Sequence, residues 1–335
     1  MSAIAATADA KNSADDREDE LPFSLVCLDM DGTLLNDDHE ITQRTASMLN
    51  TLSASGVTIC IATGRSFGSV VEYVMKSLQL AQETVPIICF NGSCCMMLNT
   101  TTGALKPLFC DSIEKMHLQA LLDLCEDRSS GKDEDVVVLQ YYDGATGKVH
   151  VASTCAQTAV EKDLMSQYVG ITGHPQNIVP SYASLMEAGT LPVKCLALTP
   201  DVDALMQRAA ERLPSGSFHM IRGSPFAFFV EFLRPGCTKG TAVEKLVAYL
   251  SNAGTSSAQT VQPAAAAEVP KARYSLERTI ALGDGENDVE MLTAVGHGVA
   301  MQNARQAAKQ AADAVNALSN NQDGVADYLE RVFFV

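Results

Sequence analysis

Asp29 and Asp31, in Asp29-Met30-Asp31-Gly32-Thr33, stand one residue apart at the end of the apolar run Leu25-Val26-Cys27-Leu28. Residues two apart on a strand face the same side, so both carboxylates converge on one small volume. Such a pair needs a cation between its members or a proton on one of them, and either state suits acid-base or covalent chemistry. A strand that merely stops at a polar Asp-Gly turn is the alternative reading of this stretch taken alone. A second acidic group, Gly283-Asp284-Gly285-Glu286-Asn287-Asp288, follows the apolar segment Thr279-Ile280-Ala281-Leu282. By itself it also reads as a glycine-rich connection in which Asn287 or Asp288 caps a helix. Lys239, in Gly236-Cys237-Thr238-Lys239-Gly240, brings positive charge to a helix start, where the helix dipole disfavours a cation. Most lone lysines are solvated surface groups, but one placed against its dipole preference fits phosphate binding better. Thr63-Gly64-Arg65 offers a hydroxyl and backbone donors ahead of a helix, as a simple cap or as a phosphate seat.

These groups gain meaning from the elements that carry them. Leu25 to Leu28 and Val57 to Ala62 read as buried strands, and Pro86-Ile87-Ile88-Cys89-Phe90 as a third, ending in Asn91-Gly92. Between them, Ile41, Met48, Leu49 and Leu52 share one helical face, and Phe67, Val70, Val71, Val74, Met75 and Leu78 form a second helical stripe. Strands alternating with helices imply right-handed crossovers and a parallel sheet covered on both faces. Asp29, Thr63, Asn91 and Asp284 each follow a strand and so share the carboxyl rim, where open parallel sheets bind ligands.

From about residue 93 the pattern changes. Val136 to Tyr142 and Lys148 to Ser153 read as a hairpin, Val193 to Leu198 and Phe226 to Leu233 as further strands, and Ser112 to Asp127 and Asp201 to Leu213 as helices. The parallel pattern then returns with a helix from Thr238 to Leu250 and strands at Thr279 to Leu282, near Gly298 to Met301 and near Ala314-Val315. The expected fold is therefore α/β: a Rossmann-like doubly wound parallel sheet, residues 21–92 and 236–335, with an inserted α+β cap domain at 93–235. Residues 1–20, with Asp15, Asp16, Glu18, Asp19 and Glu20, read as a disordered acidic tail. The Ala-, Ser- and Pro-rich stretch 252–275 reads as a flexible insertion.

Asp29-x-Asp31-Gly-Thr, Thr63-Gly-Arg, Lys239 and Gly283-Asp284-x-x-Asn287-Asp288, in this order, resemble the four motifs of the haloacid dehalogenase superfamily. The arrangement is similar to its Cof-type phosphatases, whose large α/β cap lies between the second and third motifs. Met301-Gln302-Asn303-Ala304, Ala312-Asp313 and Asp323-Gly324-Val325-Ala326 resemble the tail of that group. The resemblance implies a phosphoric monoester hydrolase acting through an aspartyl-phosphate. In it Asp29 is the nucleophile and Asp31 the general acid and then base. It further implies magnesium held by Asp29, the backbone carbonyl of Asp31 and Asp284, with Asp288 binding it directly or standing just behind. Thr63, Gly64, Lys239 and Asn287 would hold phosphate oxygens, and Arg65 would either join them or pair with the cap or a core carboxylate. The implied substrate is a small phosphomonoester, a sugar phosphate or a phosphorylated cofactor. Specificity is expected in the cap, with Tyr141-Tyr142-Asp143 and His219 to Ser224 as candidate contacts. A phosphomutase on the same core, or a catalytically silent binding protein, are the competing readings.

Composition sets the outer bounds. The 335 residues carry a formal charge of −16, which argues against nucleic-acid or anionic-membrane surfaces. No apolar stretch approaches the roughly 20 residues that span a bilayer. The ten cysteines show no paired metal-site spacing and read as reduced core thiols. Together with a start that lacks a signal core, this leads to the expectation of a cytoplasmic protein. The oligomeric state has no sequence signature.

Overall fold

The computed structural model describes residues 21–127, 136–155, 157–173, 175–223, 228–256 and 273–335. The expected acidic tail at 1–20 and residues 257–272 of the expected insertion lie outside them.

The chain first forms β1 (Leu25–Leu28), α1 (Gln43–Ala54), β2 (Thr58–Ala62), α2 (Phe67–Ser77) and β3 (Thr84–Cys89), the three strands pairing in parallel. All four β1 side chains are fully buried, as the unbroken apolar run requires of a strand covered on both faces. Helix α1 starts at Thr42, whose hydroxyl accepts from Thr45 N, and α2 turns Phe67, Val70 and Val74 inward at helical spacing. β4 (Cys94–Asn99) and β5 (Leu105–Cys110) then fold back antiparallel beyond β3.

The inserted segment follows: α3 (Lys115–Glu126), β6 (Val138–Asp143), β7 (Val149–Ala152), α4 (Ala159–Thr172), β8 (Gln176–Val179), α5 (Tyr182–Glu187), β9 (Pro192–Leu198), α6 (Val202–Arg212), β10 (His219–Arg222) and β11 (Phe229–Leu233). Among the described residues its strands make a separate six-stranded sheet in the order β10-β11-β9-β6-β7-β8, antiparallel except between β7 and β8. The chain returns with α7 (Lys239–Ser256), β12 (Thr279–Gly283), α8 (Val289–Ala294), β13 (His297–Ala300), α9 (Gln306–Ala311), β14 (Ala314–Val315) and α10 (Gly324–Phe334). Among the described residues the first sheet is eight-stranded, ordered β14-β13-β12-β1-β2-β3-β4-β5, with β12 seated in parallel beside β1.

The mixed α/β architecture with a parallel core and an inserted α+β segment follows the sequence expectation, with two boundary corrections. Cys94 to Cys110 belongs to the first sheet, so the segment that builds the second sheet begins near residue 111 rather than 93. A short connection after β3 favours pairing with the preceding strand, which is what β4 does. Residues 252–256, expected in the flexible insertion, instead belong to α7, which contains no proline.

Candidate active site

Because β1, β2, β3 and β12 run parallel, their carboxyl ends lie on one rim, and backbone hydrogen bonds tie the departing chains together. Asp29 N donates to Leu282 O at 3.0 Å, Thr63 N to Ile88 O at 2.9 Å, and Asn91 N to Thr63 O at 3.0 Å. After Asp29 the chain turns sharply, with Leu34 N returning to Asp29 O and Leu35 N to Met30 O. Gly32 sits in this turn at φ 76°, and a Cβ there would lie 2.5 Å from Asp284 Oδ2. Only glycine both adopts that backbone and lets the Asp284 carboxylate approach.

Asp29, Asp284 and Asp288 bring one carboxylate oxygen each within 4.8 Å of one another. Lys239, the first residue of α7, is fully buried and donates to Asp29 Oδ1 at 2.5 Å and to Asp288 Oδ1 at 2.6 Å. The other Asp288 oxygen accepts from the backbone N–H groups of Asp284, at 3.0 Å, and Gly285, at 2.8 Å. Asp288 precedes α8 but does not cap it with its side chain, so its carboxylate serves the loop and the lysine instead. Thr33 Oγ1 donates to Asp284 Oδ1 at 3.3 Å.

Burial pushes the Asp29 carboxyl well above the usual carboxylate range, and the charge of Asp288 adds to the shift, while Lys239 opposes both. Burial works against the Lys239 charge too, but Asp288 and Asp29 outweigh it and raise its pKa. Asp284 is pushed up to about 6, by burial first and then by Asp288. Three carboxylates against one ammonium leave the cluster short of positive charge. Its donors are hard oxygens, the set that suits magnesium or calcium rather than a softer metal. The residues present therefore fit a divalent cation.

A pH dependence follows. A carboxyl whose pKa is raised takes up its proton first as pH falls, and the proton then competes with a cation. Affinity for magnesium is expected to fall as pH drops through about 6, where Asp284 takes up its proton, with the raised Asp29 carboxyl adding to the loss. The raised Asp284 pKa likewise favours the metal-free fold below about pH 4 and loses that contribution as pH rises through about 6. The rise in melting temperature on adding magnesium should consequently be larger at pH 7.5 than at pH 5.5. Equal rises would count against these carboxylates as the metal site.

The remaining expected residues lie around this cluster. Thr63 is buried, and its hydroxyl oxygen accepts from Arg65 N at 3.1 Å, which leaves the hydroxyl hydrogen to donate elsewhere. Arg65 pairs with a core carboxylate: its Nε donates to Asp31 Oδ2 at 2.7 Å and its Nη2 to Asp31 Oδ1. Burial acts against the Arg65 charge, and Asp31 more than restores it. Asn287 Nδ2 donates to Asn91 Oδ1 at 2.9 Å, so Asn91 is part of the constellation although sequence gave it only a place on the rim. Gly64 packs against the same asparagine, since a Cβ there would meet Asn91 Oδ1 at 2.9 Å.

The candidate contacts in the inserted segment fare differently. Tyr141 and Tyr142 lie in strand β6 and Asp143 ends it, and all three are buried. Tyr141 donates to Thr190 O, Tyr142 bonds Gln140 and Tyr168, and Asp143 accepts from Ala145 N and Thr146 Oγ1 within its own turn. Their polar atoms are engaged inside the segment, which removes them as free substrate contacts. His219 to Arg222 forms the edge strand β10, with Arg222 paired to Asp203, and Ser224 lies outside the described residues. Two residues that sequence reasoning did not single out, Lys194 and Glu231, reach the rim instead.

Comparison with known proteins places these observations in a family. The model of the haloacid dehalogenase-like hydrolase family matches residues 26–258 and 267–329. A 5-amino-6-(5-phospho-D-ribitylamino)uracil phosphatase of Bacillus subtilis is 27% identical over 312 residues, covering 92% of this chain and 97% of the relative. Another phosphatase of that organism is 25% identical over 316 residues, covering 92% and 100%. Among solved structures, a phosphatase of the haloalkanoate superfamily from Bacteroides thetaiotaomicron superposes with a TM-score of 0.69 at 23% identity, covering 94% of this chain and 97% of the other. A protein from Thermotoga maritima gives 0.67 at 21% identity, covering 92% and 97%.

Proposed function

The chain belongs to the haloacid dehalogenase-like hydrolase family, and we propose that it is a magnesium-dependent phosphatase that hydrolyses a small phosphorylated metabolite through an aspartyl-phosphate on Asp29. The observation that carries this reading is the fully buried Lys239 bridging Asp29 and Asp288 at a rim that also holds Asp284. A buried lysine is tolerated only when paired, and here its partners include the group best placed to attack.

In this reading Asp29, Asp284 and the backbone carbonyl of Asp31 would hold magnesium, with Asp288 binding it or orienting those that do. When bound, the ion supplies positive charge where a carboxylate must approach a phosphate dianion. Lys239 favours the ionised form of Asp29 against the effect of burial and holds the carboxylate in one direction. The Thr63 hydroxyl, the Gly64 backbone and Asn287 receive phosphate oxygens. Asp31 gives a proton to the departing alcohol and later takes one from water, and Arg65 holds that carboxylate by two hydrogen bonds until substrate arrives. A cavity of about 770 Å³, lined by Arg65, Ser69, Tyr73 and Lys76 on the core side and by Gly147 and Thr172 of the inserted segment, has the size of a metabolite site. We place the leaving group there, with residues 111–235 as the cap that covers it.

Among the described residues no helix is long and apolar enough to cross a membrane. A cytoplasmic protein acting on a free metabolite is part of the proposal. The test is phosphate release from a panel of phosphorylated sugars and cofactors, with magnesium and with EDTA. The name of the ribitylaminouracil phosphatase relative supports adding ribityl phosphates to the panel. Magnesium-dependent release from at least one ester is expected. An isomerised product without release would identify a mutase, and inertness under every metal would sink the phosphatase reading in favour of a binding role.

A further inference from the structure

Lys194 on β9 and Glu231 on β11 form an ion pair at 2.9 Å, and both are buried in the inserted segment. Removing two charges from water is costly, so a buried pair is weak evidence of a stabilising role. What sets this pair apart is where its other hydrogen bonds go. Lys194 Nζ also donates to the carbonyl oxygen of Gly64 at 3.2 Å, and Asn91 Nδ2 donates to the second Glu231 oxygen at 2.7 Å. The rings of Tyr142 and Phe90 lie against the ammonium, with centroids at 4.7 and 5.9 Å, which shields it from water.

Both partners outside the inserted segment belong to the rim. The Gly64 carbonyl shares a peptide group with the Arg65 N–H that donates to the Thr63 hydroxyl oxygen. Asn91 accepts, through its oxygen, from the Asn287 amide. Gly64 also faces Asn91, whose Oδ1 lies 2.9 Å from where a Gly64 Cβ would be, so Gly64, Lys194, Glu231 and Asn91 form one group. We infer that Lys194 and Glu231 are positioning residues through which the docked inserted segment orients the Thr63 hydroxyl and the Asn287 amide toward the phosphate. The inference rests on the phosphatase reading above. It makes the phosphate seat complete only when the segment is docked.

The test compares wild type with the Lys194→Met, Glu231→Leu double variant, which replaces the pair by apolar groups of similar volume. A melting temperature within a few degrees of wild type and a fall in kcat/KM of about 10²-fold are expected, the latter being the cost of a misplaced binding group. Retention of kcat/KM within about twofold at an unchanged melting temperature would overturn the inference. Asn287→Ala should cost far less in the double variant than in wild type, because its amide is already misdirected, whereas equal costs in both backgrounds would also overturn it. Should the double variant fail to fold, Glu231→Gln serves instead: it puts an NH2 donor where one of the two carboxylate oxygens accepted, so it breaks one of the two hydrogen bonds at near-constant volume. The same direction of loss in kcat/KM is expected, and an unchanged kcat/KM would overturn the inference. Calorimetric binding of inorganic phosphate in magnesium gives the same comparison without turnover. A wild type that hydrolyses no ester yet binds phosphate more tightly than the double variant refutes the phosphatase reading alone, and equal phosphate binding refutes the positioning role.

Discussion

Asp29→Asn is expected to lower turnover by about 10⁴-fold or more and to abolish covalent labelling of the protein by substrate phosphate. An amide is a poor nucleophile, and it also withdraws one of the two carboxylates that hold Lys239. The loss should not come from unfolding. Burial and Asp288 disfavour the Asp29 charge, so a neutral isostere relieves the metal-free protein of that cost above the usual carboxylate range. Acid-quenched protein analysed by mass spectrometry gives the decisive reading, paired with a melting curve in EDTA. A phosphorylated adduct that survives in the variant would move the nucleophile elsewhere.

Lys239→Met is expected to be nearly as damaging to catalysis, by about 10³-fold, and far more damaging to stability. The side chain is fully buried, and its removal leaves Asp29 and Asp288 facing Asp284 with no cation between them. Breaking a buried pair from one side costs about 3–5 kcal/mol. Magnesium should restore part of that loss, because it supplies charge to the same carboxylates. Denaturant unfolding in EDTA and in magnesium separates the two contributions. A variant as stable as wild type in EDTA would show that Lys239 carries no structural charge balance.

Much of this site was readable from residue type and order, and the reasons are physical. Leu25 to Leu28 is apolar on both faces, which only a strand inside a covered parallel sheet tolerates, so the place of Asp29 at its end followed. Lys239 was legible because a lysine at a helix start contradicts the helix dipole. Partnerships across long sequence separations were not legible. Nothing near Asn91 announces Glu231, 140 positions away, and nothing near Arg65 decides for Asp31. A signal for Lys194 did exist: it stands in Pro192 to Leu198, a strand buried along its whole length, where a lysine demands a partner. Strand β4 misled for another reason, since an apolar strand pattern states that a strand is covered but not which sheet covers it. Helix α4 was missed because its inward residues, Glu161, Leu164 and Tyr168, include two polar types that blur the stripe.

The seating of β1 between β2 and β12 also orders events during biosynthesis. Ser24 and Arg278, at the head of that pairing, are 254 positions apart. At about 5–20 residues per second, a ribosome delivers the second partner roughly 10–50 s after the first. During that interval the emerging chain has Asp29 but neither Asp284 nor Asp288, and the inserted segment is completed before either of them is made. The three carboxylates of the rim can therefore meet only after Asp284 and Asp288 have been made, behind the whole inserted segment.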